Sequence, residues 1–190
     1  MNLLFPRITL KQFAWMFLFG LAGALIAGAY GIAHDQITYR IGPEYFTKFK
    51  RIQFHYLDPQ APMPITVAKI GFLATWWVGF FAAWFMGRLT LPHEPLRNAA
   101  RRSGWGVLIM ILTAIISATI AYNISPTSFQ DPRMAHWTDM LNTYDITDPL
   151  AFIRVGYIHN ASYLGGFIGL LGALLTLRLT RKAKMPVTAF

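Results

Sequence analysis

The chain has no cysteine among its 190 residues and only eight acidic side chains, and its charged residues amount to 13%. Each shortage excludes something. Without cysteine there is no disulfide, no thiolate nucleophile and no cysteine-attached haem. A charged fraction near half the usual value of about 25% is a poor match to an average soluble domain. Sequence signatures of catalysis are also missing. There is no phosphate-binding glycine loop, no Gly-x-Ser-x-Gly elbow, no Glu-x-x-His or His-x-x-x-His pair, and no zincin motif.

What remains is apolar, with 55% hydrophobic residues. Four runs are long enough to cross a hydrocarbon core of roughly 30 Å, which takes about 20 helical residues. They are Phe13 to Ala33, Ile65 to Gly87, Gly104 to Ile124 and Val155 to Leu177. The expected fold class is therefore all-α, a four-helix transmembrane bundle forming one integral membrane domain over residues 1–190. The first run could serve as a signal peptide, with Ala27-Gly28-Ala29 as the cleavage site. Its length exceeds the usual signal core of about 7 to 15 residues, so a retained helix is the better reading.

Basic residues near helix ends set orientation. With the N-terminus inside, ten of them are cytoplasmic: Arg7, Lys11, Arg88, Arg97, Arg101, Arg102, Arg178, Arg181, Lys182 and Lys184. Six are outside: Arg40, Lys48, Lys50, Arg51, Arg133 and Arg154. Both termini are thus expected to be cytoplasmic, and the two long loops face the periplasm or exterior of what reads as a bacterial inner membrane. The net charge of +9 then reflects a basic rim beside anionic lipid and needs no nucleic acid. Seven of the eight acids fall on the outer side, together with His34, His55, His136 and His159, leaving Glu94 and His93 inside.

The stretch Tyr39-Arg-Ile-Gly-Pro-Glu-Tyr-Phe46 recurs as Tyr122-Asn-Ile-Ser-Pro-Thr-Ser-Phe129, and Arg88-Leu-Thr90 recurs as Arg178-Leu-Thr180. These matches suggest a parallel duplication of a two-helix hairpin, with residues 21–90 and 104–180 as the copies. In each copy Gly42 or Ser125 suits a helix N-cap, and the proline after it suits a first turn. After Pro43, the residues Tyr45, Phe46, Phe49, Ile52 and Tyr56 follow helical spacing with Lys48, Lys50 and Arg51 on other faces. That pattern predicts a short amphipathic interfacial helix. After Pro126 a helix is expected only over Met134 to Leu141, with Trp137 as an interfacial anchor.

Small residues recur every four positions as Gly20/Ala24/Gly28, Gly23/Ala27/Gly31, Gly79/Ala83/Gly87 and Gly165/Gly169/Ala173. Such stripes suit close helix packing within the bundle or against another subunit. The second run adds Phe72, Trp76, Trp77, Phe80, Phe81, Trp84 and Phe85, rings able to face lipid, a bound ring system or a partner helix. Lys69 is the ionisable residue lying clearly within a run, near enough to its end to snorkel.

His34 follows the first run and His159 begins the fourth, so both belong at one level of the bundle. The expected polar cluster or ligand site is His34, Asp35, Glu44, His159 and Asn160. Its metal-ligating candidates are His34, His159 and Glu44, and the segment from Pro43 would act as a partial lid. The cofactor is left unassigned. Three functions stay open. The first is a non-catalytic assembly or accessory subunit, a homo-oligomer or part of a larger membrane complex. The second is an outward-facing binder or carrier of a small molecule or lipid. The third is a haem or metal redox protein using His34 and His159.

Overall fold

In the computed structural model, residues 8–180 are described. Four long helices dominate: α1 (Leu10–Ile41), α3 (Met63–Thr90), α4 (Leu96–Ile124) and α6 (Pro149–Leu179). Each is long and apolar enough to cross a membrane. Between α1 and α3 lie a π-helical turn (Tyr45–Lys50) and α2 (Arg51–Gln53). Between α4 and α6 lie a 3-10 turn (Pro132–Trp137) and α5 (Thr138–Thr143). No strand occurs among the described residues. Of the basic residues that orient the chain, Arg7, Arg181, Lys182 and Lys184 lie outside them.

Helices α1 and α6 run further than their apolar stretches because caps, not hydropathy, set their starts. Thr9 opens α1 with a capping box, its hydroxyl accepting from Gln12 N and the Gln12 side chain accepting from Thr9 N. The helix then continues through His34-Asp-Gln-Ile-Thr-Tyr-Arg-Ile41 and stops where Gly42 precedes Pro43, a step that disfavours α geometry. At the start of α6, Asp148 caps the Ala151 N–H and Pro149 occupies the first turn. Consequently His34 and His159 are not at helix ends, as the apolar runs imply. His34 lies seven residues inside the end of α1, and His159 ten residues inside the start of α6.

Two hairpins make the bundle, α1 against α3 and α4 against α6. Both pairs are antiparallel, since contacting positions rise on one helix as they fall on the other. Gly23 meets Gly79 and Gly31 meets Gly71, while Gly165 meets Ser117 and Gly169 meets Thr113. A Cβ on Gly31 would stand 2.1 Å from the Gly71 carbonyl oxygen, so only glycine permits this approach. The other stripe of α1 also faces α3, with Gly20 beneath the Phe80 ring and Gly28 beneath Phe72. Thr75 bonds across the seam to the Ala27 carbonyl at 2.8 Å. Both small-residue stripes of α1 therefore serve one intramolecular contact.

The ends of the described chain meet at the short α3–α4 connection. Ile8 packs near Met16, Leu91 and Ala99, and Arg102 binds both Glu94 and Thr180. At the opposite end the long loops fold into the bundle mouth, where Tyr45, Phe46, Val67, Ile70, Phe152, Ile153 and Val155 form a core.

Two loop expectations are corrected there. The repeated motif does not start the same element twice. Gly42 and Ser125 both terminate helices, and chain after Pro43 enters a π-helical turn, whereas chain after Pro126 stays irregular until the 3-10 turn at Pro132. Nor does the first loop form a simple amphipathic helix. The wider π geometry turns Lys50 inward with Tyr45 and Phe46, while Ile52 and Tyr56 are exposed. The Trp137 ring lies over Gly156, where a Cβ would be 2.2 Å away, and stacks on Tyr157, so one side of it packs on α6.

Candidate functional site

His34, Asp35 and His159 come together where α1 crosses α6. The His34 Nδ1 atom lies 3.1 Å from Asp35 Oδ1, and its Nε2 lies 3.0 Å from the Ser162 hydroxyl. His159 Nε2 is 3.3 Å from Thr38 Oγ1 and 3.8 Å from Asp35 Oδ1, while its Nδ1 is 3.4 Å from the Tyr163 hydroxyl. The two imidazoles meet edge to face. One ligand atom from each of His34, Asp35 and His159 lies within 4.8 Å of the others, close enough to share an ion.

Helical periodicity explains the membership. Tyr30, His34 and Thr38 are four residues apart on α1, as are His159 and Tyr163 on α6, so each set occupies one face. Thr38 secures its side by donating to the His34 carbonyl oxygen at 3.0 Å. Tyr45 and Phe46 close the site from above, with ring centroids 4.9 and 5.8 Å from that of His159. The segment after Pro43 thus covers the cluster, as expected of a lid.

Two expected members are elsewhere. Glu44 accepts from the Thr147 N–H at 2.9 Å, the Thr147 hydroxyl at 2.9 Å and the Asp148 N–H at 2.7 Å, and pairs with Lys48 at 2.6 Å. It ties the first loop to the start of α6 and is not a ligand beside His34. Partial burial pushes its pKa up, but the Lys48 ammonium and the Asp148 and Thr147 donors outweigh that and bring it down to about 2. Asn160 is exposed, being one residue and about 100° round the helix from His159. A haem held between the two histidines does not fit this arrangement either. Axial imidazoles oppose each other across the porphyrin, whereas these rings touch at 4.7 Å between centroids and 82° between planes.

Thr38, Tyr163, Tyr30 and Lys50 were not picked out by residue type alone. The four-residue spacing could have found the first three. Lys50 also stands four residues after the buried Phe46, but its charge argues for an outward face. Its ammonium lies 5.9, 5.5 and 5.9 Å from the ring centroids of Tyr45, Phe49 and Phe54, and donates to Gln53 Oε1 at 2.9 Å. Burial lowers its pKa, against the opposing pull of Asp35.

A cavity of about 700 Å³ opens beside this cluster, between the two hairpins. Its polar end holds Tyr30, His34, Asp35, Lys50, Ser162 and Tyr163. The Tyr30 hydroxyl is buried and makes no hydrogen bond of normal geometry. The remainder is apolar, lined on α3 by Trp77, Phe81 and Phe85, on α4 by Val107, Met110 and Ile111, and on α6 by Phe167 and Leu170. Trp77, Phe81, Phe85 and Phe167 are each about half exposed, so the cavity reaches the outer surface of the bundle. Of the seven aromatic residues of α3, Phe72, Phe80 and Trp84 pack on α1, Trp77, Phe81 and Phe85 face this space, and Trp76 is exposed outside both sets.

Comparison of the chain with protein-family models, curated proteins and solved structures finds no match.

Proposed function

We propose that this membrane protein binds one amphipathic small molecule or lipid, taken from the bilayer into the cavity between its hairpins. The observation carrying the reading is the cavity's division into a long apolar part, open along the helix faces, and a polar end at His34, Asp35, Lys50 and Tyr30. An acyl or polyisoprenoid chain suits the first, and an oxygen-bearing headgroup suits the second. The buried Tyr30 hydroxyl, beside Ser162 but without a hydrogen bond of normal geometry, supplies a donor for such an oxygen. The small-residue stripes that motivate an assembly role are taken up by α1–α3 and α4–α6 contacts, which favours binding over subunit assembly.

The polar end faces the periplasm or exterior of a bacterial inner membrane in this reading, on the strength of the basic residues. Lys11, Arg88, Arg97, Arg101, Arg102 and Arg178 all lie toward the α3–α4 connection. The hairpins are proposed copies of one ancestral unit, a view supported by Gly79 and Gly169, ninety positions apart, which both lie inside their pair.

Gly166 offers the test. It lines the cavity, and a Cβ there meets nothing nearer than Ala114 Cβ at 3.9 Å, so the side chain of Gly166→Phe starts without a clash and takes up cavity space. Protein purified in mild detergent from its native membrane is compared by native mass spectrometry and solvent extraction. One retained amphiphile per chain, lost in Gly166→Phe, is the expected result. Absence of any retained molecule, or equal retention by the variant, overturns the proposal.

A further inference from the structure

We infer that His34, Asp35 and His159 form a binding site for one divalent transition-metal ion of the zinc or iron(II) type. The inference shares His34 and Asp35 with the polar end of the cavity but does not need the organic ligand, since it rests on the donor atoms alone. His34 Nδ1 and His159 Nε2 lie 3.1 and 3.8 Å from the same carboxylate oxygen, and one ligand atom from each of the three residues falls within 4.8 Å of the others. Ligands bound to such an ion at about 2.0–2.2 Å stand roughly 3–4 Å apart. An ion therefore fits their common point with small side-chain adjustments.

The outer partners are already those of metal-bound imidazoles. The nitrogen of each ring that faces away from Asp35 Oδ1 meets a hydroxyl, Ser162 for His34 Nε2 at 3.0 Å and Tyr163 for His159 Nδ1 at 3.4 Å. A hydroxyl accepting the proton there fixes the tautomer and leaves the other nitrogen's lone pair directed at the ion. Thr38 Oγ1 lies 3.3 Å from His159 Nε2 and donates to the His34 carbonyl oxygen at 3.0 Å, so it meets His159 as an acceptor and an ion bound at Nε2 replaces that contact.

Charge supports the same assignment. The His159 side chain is 1% exposed and the Asp35 side chain 6%, so a carboxylate is held away from water beside two imidazoles. Burying it without a compensating positive charge is costly. Lys50, the ammonium bordering this end of the cavity, is bonded to Gln53 and acts on Asp35 only at longer range, with no ion pair between them among the described residues. A divalent ion supplies the compensation. Two imidazoles and one carboxylate, all on rigid helices, leave coordination positions open, the donor set that suits iron(II) or zinc.

The probes are zinc and cobalt(II), added to the full chain purified in detergent after chelation. One ion per chain by equilibrium dialysis is expected, with cobalt absorption bands of a low-symmetry nitrogen and oxygen site. Binding should weaken at least tenfold in His159→Asn and in Asp35→Asn, and stay unchanged in Glu44→Gln. Failure of the wild type to bind, or full binding by both ligand variants, overturns the inference. Should those variants not fold, X-ray absorption on the zinc-loaded wild type decides. Imidazole scattering from two histidines supports the site, and an oxygen-only shell overturns it. Loss of the organic ligand in Gly166→Phe with zinc binding intact would separate this site from the cavity reading.

Discussion

His159 meets His34 edge to face at 4.7 Å between ring centroids, although the two residues stand 125 positions apart and on helices of different hairpins. This is the polar joint between the hairpins, with Ser162 and Thr38 completing it. Replacing His159 by Ala removes a buried ring and leaves the Asp35 carboxylate with fewer partners. Stability should fall by about 1–3 kcal/mol. Asn160→Ala, on the exposed face, should stay within about 0.5 kcal/mol. Unfolding titrations in mixed micelles measure both, and a smaller loss at His159 than at Asn160 would contradict the joint.

Glycine tolerance should differ sharply by position. At Gly31 a Cβ would approach the Gly71 carbonyl oxygen to 2.1 Å, so Gly31→Ala must push α1 from α3, at a cost of roughly 1–3 kcal/mol. At Gly172 a Cβ meets nothing within 4 Å. Gly172→Ala should therefore be neutral or stabilise α6 by up to about 1 kcal/mol. The same titrations decide, and equal effects at the two sites would contradict the glycine seam.

Acid should loosen the lid. Glu44 has its folded pKa lowered from 4.5 to about 2, so the unfolded chain binds more protons in that interval. Its stabilising effect is fully present above about pH 5 and is lost as pH falls toward 2. Thermal unfolding of the wild type should show this loss, and Glu44→Gln should show a shallower dependence over the same window. Identical slopes would remove Glu44 from the loop tie.

The absence of cysteine makes topology directly measurable. Single cysteines at Thr47, Thr127 and Asn98 lie in the two long loops and near the α3–α4 connection. Impermeant maleimide applied to intact cells should label the first two positions and spare Asn98. The reverse pattern would invert the proposed orientation.

Hydropathy located all four spanning helices, because the cost of exposing apolar residues to water is a local property of each run. Their ends were readable as well, though less plainly. Asp148-Pro149 is an N-cap followed by a first-turn proline, a signal that extends α6 back from Val155 and places His159 well inside the helix. The pairing of His34 with His159 was legible from their expected common depth, and Thr38 and Tyr163 follow once each helix face is drawn.

Other features depended on contacts between distant segments. Glu44 carries the same carboxylate that could have joined a metal cluster. It instead finds the Thr147 and Asp148 backbone donors because the two long loops meet over the bundle mouth. Lys50 turns inward within the π-helical turn because the rings of Tyr45, Phe49 and Phe54 and the Gln53 side chain receive its ammonium there. Sequence by itself determined the number of spans, the crowding of glycine at their seams and the faces on which histidine and hydroxyl residues align. Tertiary structure decided which seam each stripe fills, which acid remains beside the histidines and where the bundle leaves a cavity. These depend on how helices far apart in the chain pack laterally, and no local pattern encodes that distance.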